Sequence, residues 1–255
     1  MDNREKIDFI TKWISDYILK ISSKDIDEAS KCNSLVVGIS GGIDSSLTST
    51  LCALTGLKTF GVRLPIVSGN PPNSIKHCNW LSDKFKNVEI CEIDLTNAFE
   101  SFSKVVKKKS FNSNLGFANS KSRLRMITLY QIAASTNSLV VGTGNKVEDF
   151  GVGFFTKYGD GGVDISPIAD LTKTEVRELA KELKIINEVI NAEPTDGLWD
   201  DARTDKDQLG LSYEELEEAM TNEGSKHRDR YLKIREKSLH KMNPIPVCII
   251  DKQKK

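Results

Sequence analysis

The chain carries no net charge: 36 Lys+Arg stand against 36 Asp+Glu in 255 residues. A general electrostatic attraction to nucleic acid or to a membrane surface needs an excess of one sign, so neither partner is expected. No Gly-Lys-Ser or Gly-Lys-Thr occurs, which removes the lysine of a Walker A loop, and no G-x-G-x-x-G occurs, which removes the dinucleotide fingerprint. The five cysteines, at 32, 52, 78, 91 and 248, form no C-x-x-C pair and no ligand cluster. An odd number of scattered thiols fits a reducing compartment better than a disulfide framework. No apolar run approaches the ~18 residues of a membrane span, and no charged-then-apolar leader opens the chain, so a cytoplasmic protein is expected. Repeats are absent too.

What the chain does have is one dense stretch, Leu35-Val36-Val37-Gly38-Ile39-Ser40-Gly41-Gly42-Ile43-Asp44-Ser45-Ser46-Leu47. Leu35 to Ile39 is a short β-branched run, as expected of a strand covered on both faces. Ser40-Gly41-Gly42 lets the backbone turn sharply and approach a ligand with no Cβ in the way. Asp44, Ser45 and Ser46 fall in the first turn of the following helix, where free N–H groups and the positive end of the dipole favour an anion. A polyphosphate suits that position, with hydroxyls donating to it and one carboxylate holding Mg²⁺. A glycine-rich turn before a capped helix is the plain alternative.

Strands alternate with helices along the chain, which predicts an α/β fold with a parallel sheet and right-handed crossovers, residues 1–255 forming one domain. A helix is expected over 3–21, strands over 34–39, 58–64, 88–93 and 139–142, and helices over 44–55, 74–86, 95–108, 119–136 and 170–183. The C-terminal third reads as helices 212–222 and 225–238 followed by an irregular tail. Residues 65–73, 111–117 and 191–207 read as loops, the last too long and acidic for a simple connection. Lys107-Lys108-Lys109 reads as a solvated helix end that complements the dipole.

Two further segments carry polar residues after a strand. Gly142-Thr143-Gly144-Asn145-Lys146-Val147-Glu148 should open at the same sheet edge as the first turn, where Glu148 would supply a second carboxylate beside Asp44 for Mg²⁺. Gly153 to Pro167 mixes glycines, charges and aromatics as a loop around a polar ligand would. Arg123 and Arg125 lie two apart on a helix and cannot share a face. Lys173 sits at a helix N-terminus, where the dipole disfavours a cation, so a ligand role suits it better than a structural one. His77 and His227 read as structural.

The Ser40 to Ser45 turn resembles the Ser-Gly-Gly-x-Asp-Ser signature of the ATP pyrophosphatases, which cleave ATP between the α and β phosphates. Within that group the chain resembles the ammonia-dependent NAD synthetases. The matching segments run in family order: Ser40–Ser46, Ser122–Met126 with Leu129-Tyr130, Gly142–Glu148, Gly153–Pro167, Leu171–Thr174, Pro194–Leu198 and His240-Lys241. The resemblance implies a Rossmann-like, adenine nucleotide α-hydrolase-like fold: a parallel sheet with helices on both faces and a helical C-terminal part. It implies that Gly38, Ile39, Ser40, Gly41, Gly42, Ile43, Asp44 and Ser45 cradle the ATP phosphates, with Ser46 adjoining. Thr143, Lys173 and Thr195 would also contact ATP, and Asp44 and Glu148 would bind Mg²⁺. Arg123, Lys157, Asp164, His240 and Lys241 would contact deamido-NAD; the His240-Lys241 assignment rests on the family alone.

The implied reaction has two steps. The nicotinate carboxylate attacks the α-phosphorus of ATP, and ammonia then displaces AMP to give NAD. Asp44, Lys173 and Asp164 would be the catalytic residues, Asp164 accepting a proton from ammonium or holding it. A homodimer with sites shared across the interface is implied, and the length leaves no room for the fused amidase of glutamine-dependent relatives. Three departures stand out: Ser122 where the family has alanine, Met242 where arginine often follows His-Lys, and Asp196-Gly197 in place of Ala-Asp. Two other readings remain open. One is another ATP pyrophosphatase, a tRNA-thiolating enzyme or a GMP-synthetase-like amidotransferase; the other is a nucleotide-binding protein without turnover.

Overall fold

In the computed structural model, residues 1–22, 31–66, 72–195, 197–199 and 204–250 are described. Four parallel strands form one sheet in the order β3-β2-β1-β4: β1 Ser34–Gly38, β2 Lys58–Arg63, β3 Val88–Glu92 and β4 Ser138–Val141. β1 is central, with Val36 opposite Phe60 on one side and Val140 on the other. Its side chains alternate between two cores as the strand period requires. Leu35 and Val37 face the layer of α1 (Asn3–Ile21), α2 (Ile43–Leu54) and α6 (Lys173–Glu182), where Ile14, Leu47 and Leu179 are fully buried. Val36 faces the opposite layer, of α4 (Thr96–Lys107) and α5 (Asn114–Thr136), through Phe99 and Ala133. The fold is thus the expected Rossmann-like α/β arrangement.

The strand order reverses between β1 and β4, so the loops after these strands part at their carboxyl ends and open a crevice there, the usual ligand position in open parallel sheets. After β4 the chain returns to the sheet once more, with Gly142 N donating to Ile165 O at 2.7 Å and Asp164 N to Val140 O at 2.9 Å. A satellite core under α8 (Asp205–Leu209), α9 (Tyr213–Thr221) and α10 (Arg228–Met242) packs Leu209, Leu216 and Tyr231 against Val147 and Val152. Among the described residues, no helix is long and apolar enough to cross a membrane.

Several element bounds differ from the sequence reading, and the reasons are local. The 111–117 loop is half helix: Ser113 accepts from Gly116 N, which caps α5 at Asn114 rather than at 119. α6 starts at Lys173 rather than 170, because Thr172 and Glu175 form a capping box. Asp205, placed in the 191–207 loop, begins α8 behind the Thr204–Asp207 capping box, and a short α7 (Asn187–Ile190) precedes the loop. α3 (Pro72–Lys84) begins inside the predicted 65–73 loop; the part of that loop from 67 to 71 lies outside the described residues, as does Asp196. α10 runs to Met242, so His240 and Lys241 occupy its last turn.

His77, on α3 (Pro72–Lys84), is fully buried, with Nε2 against the Ser49 hydroxyl at 2.9 Å and its ring stacked on Trp80. Burial holds its pKa at about 4, below the ordinary 6.5. The unfolded chain takes up a proton on falling through pH 6.5 that the folded chain refuses until about pH 4. Stability should therefore decline as pH falls across that window, by at most about 3 kcal/mol. Urea midpoints measured on either side of the window check this; His77→Gln should flatten the dependence, and an unchanged slope would contradict the assignment.

Candidate active site

The turn after β1 is built around Gly41, whose φ is +90° and whose missing Cβ would sit 2.6 Å from the Ser74 backbone nitrogen of α3. Only glycine fits there, because a side chain would have to displace helix backbone. Ser40 and Ser45 close the turn: their hydroxyls lie 3.0 Å apart, Gly42 N donates to Ser40 Oγ at 3.2 Å and Ser45 Oγ reaches Gly42 O at 3.0 Å. Gly42 stands at the N-cap of α2 and no side chain caps the helix. Its first-turn N–H groups remain free for an anion in the crevice.

Asp44, in that first turn, meets two residues from distant elements. Its Oδ1 accepts from Asn145 Nδ2 at 3.0 Å, and its Oδ2 from Lys173 Nζ at 2.5 Å. Lys173 also donates to Glu148 Oε1 at 2.7 Å. Glu148 does not lie in an open loop, as the sequence suggested. It projects from a π-helix, Lys146–Val152, capped by fully buried Asn145, whose Oδ1 accepts from the backbone nitrogens of Val147 and Glu148. One asparagine thus holds Asp44 with its amide nitrogen and the helix bearing Glu148 with its oxygen. Tyr213, from α9, donates to Glu148 and lies 2.7 Å from Asp205 Oδ2, with its ring centroid 4.7 Å from the Lys173 ammonium.

One buried ammonium between two carboxylates sets the electrostatics. Burial works against the Lys173 charge, but Asp44 and Glu148 outweigh it and raise its pKa. For Glu148, burial is outweighed by Lys173 and the Tyr213 hydroxyl, so it lies below the ordinary carboxylate range. For Asp44, burial together with the charge of Glu148 outweighs its share of Lys173 and shifts it upward. Two further carboxylates on the same wall escaped the sequence reading. Asp149 is pushed well up by burial and by Asp160, Glu148 and Asp44, with Lys241 opposing. Asp160, held by Ser122 Oγ at 2.7 Å and Thr156 N at 3.0 Å, is also raised by burial. The adjacency of Asp149 to Glu148 was the only sequence signal for the first; the second depends on the fold of the 153–167 loop.

These groups line one cavity of about 970 Å³. Gly38 to Ser45, Thr143, Glu148, Lys173 and Thr195 all line it, as do Arg123, Lys157, His240 and Lys241. Arg123 Nε donates to Lys157 O at 3.3 Å, Lys157 Nζ to His240 O at 2.9 Å and Lys241 Nζ to Phe155 O at 2.9 Å, so α5, the glycine-rich loop and α10 meet there. Two expected site residues do not line the cavity. Ser46 is fully buried behind the turn. Asp164 is exposed, and its carboxylate accepts from Tyr130 OH at 3.0 Å and Val140 N at 2.8 Å, which joins α5 to β4. Among the described residues no group of three or more His, Cys, Asp or Glu could hold a metal ion. A metal here would rest on Asp44 and Glu148 with ligand oxygens completing its shell, the usual arrangement for Mg²⁺ with phosphates.

The NAD synthase family model matches residues 12–251. The NH(3)-dependent NAD(+) synthetase of Alkaliphilus oremlandii is 37% identical over 256 residues, covering 95% of this chain and 97% of its own. Among solved structures, the NMN synthetase from Francisella tularensis superposes with a TM-score of 0.84 at 29% identity, covering 98% of this chain and 100% of the other. The NH3-dependent NAD synthetase from Campylobacter jejuni, solved in complex with the nitrate ion, gives 0.74 at 25%, covering 98% and 100%.

Gly41→Ala should cost about 1 kcal/mol or more, because it combines positive-φ strain with the contact on Ser74, and it should abolish nucleotide binding. Gly56→Ala is the matched control: its φ is +76° but nothing lies within 4 Å of the added carbon. Urea melts and calorimetric titration with an ATP analogue separate the two. Equal nucleotide affinity in both variants would contradict the role given to the turn.

Proposed function

The chain belongs to the NAD synthase family, and on that premise we propose that it amidates the nicotinate carboxylate of deamido-NAD with ammonia. ATP is converted to AMP and pyrophosphate. The observation that carries this reading is the Asp44–Lys173–Glu148 group beside the uncapped N-terminus of α2.

A carboxylate is a poor electrophile until one of its oxygens becomes part of a good leaving group. Attack of that oxygen on the α-phosphorus forms the acyl-adenylate and releases pyrophosphate. Attack of ammonia on the acyl carbon then breaks the bond to AMP, and the nitrogen loses one proton. The chain's part is positioning and charge stabilisation. The first-turn N–H groups of α2 and the Ser40 and Ser45 hydroxyls receive the phosphates. Lys173 neutralises the departing pyrophosphate, and Thr143 and Thr195, also in the cavity lining, contact the nucleotide. Arg123, Lys157 and Lys241 present cationic groups, with His240 beside them, for the phosphates of the second substrate. Asp149 and Asp160 line the cavity beside Asp44 and Glu148 and add carboxylates near which ammonium would wait. Mg²⁺, held by Asp44 and Glu148, supplies Lewis-acid stabilisation of the phosphate charge when bound.

The 0.84 TM-score to an NMN synthetase favours a second acceptor, the mononucleotide that carries the same nicotinate carboxylate. The chemistry is identical, and only the length of the group beyond the first phosphate differs. Product analysis with ATP, Mg²⁺ and ammonium or glutamine, offering deamido-NAD and nicotinate mononucleotide in turn, tests both. AMP and the amide with ammonium alone are expected, and the ratio of kcat/KM values assigns the acceptor. Lys173→Met should lower kcat/KM about 100- to 1000-fold. Absence of AMP with either acceptor would overturn the reading.

We also place the protein in the cytoplasm as a homodimer. All five cysteines are free thiols, as a reducing compartment keeps them. Arg123 and Ile127 are both exposed and lie one turn apart on one face of α5. Ile127, 58% exposed, offers apolar surface beside Arg123 that a second copy would cover. Such a seam would put the Arg123 edge of the cavity, and with it the second-substrate site, at the interface between two copies. Mixing an Arg123→Ala variant with an Asp44→Ala variant should restore activity; no restoration despite subunit exchange would show that each chain is self-sufficient.

A further inference from the structure

The Lys173 ammonium stands where two functions compete. Its side chain is 3% exposed and bonds both carboxylates, Asp44 and Glu148, that the proposed reaction assigns to the metal. The arrangement is built on several sides. The Tyr213 ring lies against the ammonium and its hydroxyl fixes Glu148, while Asn145 fixes Asp44. A divalent cation entering between the carboxylates would meet a cation already hydrogen-bonded to both, and like charges at such range repel strongly in a site shielded from water. A polyphosphate changes the balance, because it offers the ammonium new anionic partners beside the first turn of α2. Lysine is suited to such an exchange: its point charge sits on a flexible stem and does not depend on fork geometry.

We propose that Lys173 is the resident counter-ion of the Asp44–Glu148 pair and must transfer to a phosphate oxygen before a divalent cation can bind there, so that metal and nucleotide bind together and the metal does not bind alone. This rests on the reading of the site as an ATP site. It adds a binding order. Lys173 changes partners without changing protonation, and Tyr213 and Asn145 keep the carboxylates in place while it does so.

Mn²⁺ titration followed by electron paramagnetic resonance tests the proposal without turnover. The wild-type protein alone should bind Mn²⁺ weakly. A non-hydrolysable ATP analogue should tighten binding at least tenfold, after allowance for Mn²⁺ held by free analogue. Lys173→Met should bind Mn²⁺ without nucleotide at least tenfold more tightly than wild type. Lys173→Arg keeps the charge and should remain weak, and adding Asp44→Asn to Lys173→Met should remove the gained site. If Lys173→Met does not fold, Lys173→Gln replaces it in the same titrations. Equal Mn²⁺ affinity of the wild type with and without analogue, or no gain in the folded Lys173 variant, would overturn the exchange. The ATP reading fails separately, by absence of AMP formation and of analogue binding in the wild type.

Discussion

The contact on which the site depends is the pair of bonds from the Lys173 ammonium to Asp44 and Glu148. Three carriers that are far apart in sequence converge on it: the first turn of α2, the π-helix after β4 and the first residue of α6. Each is set by a local feature. The Gly41 turn delivers Asp44, the Asn145 cap delivers Glu148, and the Thr172–Glu175 capping box starts α6 at Lys173 itself. A buried ion pair of this kind is a poor source of net stability, since desolvation offsets much of the attraction. Its retention in a crevice at the switch point of the sheet is better explained by what it does to an incoming polyphosphate.

The sheet order explains why these carriers can meet. β1 and β4 are neighbours, yet the crossovers on either side of them place helices on opposite faces. Their loops therefore diverge and leave space at the carboxyl edge. α6 returns to the α2 side, and its N-terminus comes back under the same opening. The C-terminal helices then close the site from a second core, bringing Tyr213 onto Glu148 and the end of α10 into the cavity lining. The satellite core is thus part of the active-site scaffold.

Much of this was legible in the sequence because periodicity and motif agreed. The β-branched run at 35–39 and the Ser-Gly-Gly-Ile-Asp-Ser turn each specify one local structure, and the chain adopts it. The errors fall where capping chemistry overrides apparent polarity. The Asn/Ser-rich 111–117 segment starts a helix because Ser113 caps it, and the polar stretch after β4 folds into a π-helix because Asn145 can bond two backbone nitrogens. A π-helix has no periodic signature at this length, and such turns often occur at functional sites. Asp164 entered the site through the family resemblance alone; its exposed carboxylate accepts from Tyr130 OH and Val140 N, across 34 and 24 residues, contacts that spacing cannot reveal. Asp149, Asp160 and Tyr213 were not visible as site residues for the same reason: their roles come from long-range packing.

The central claim is that a nicotinate carboxylate oxygen is transferred to the α-phosphorus of ATP in this cavity. It is tested most directly by running the reaction with substrate labelled with oxygen-18 in that carboxylate and analysing the products by mass spectrometry. The account predicts one labelled oxygen in each AMP, one retained in the amide and none in pyrophosphate. Unlabelled AMP, or label in a phosphate released alongside ADP, would contradict it.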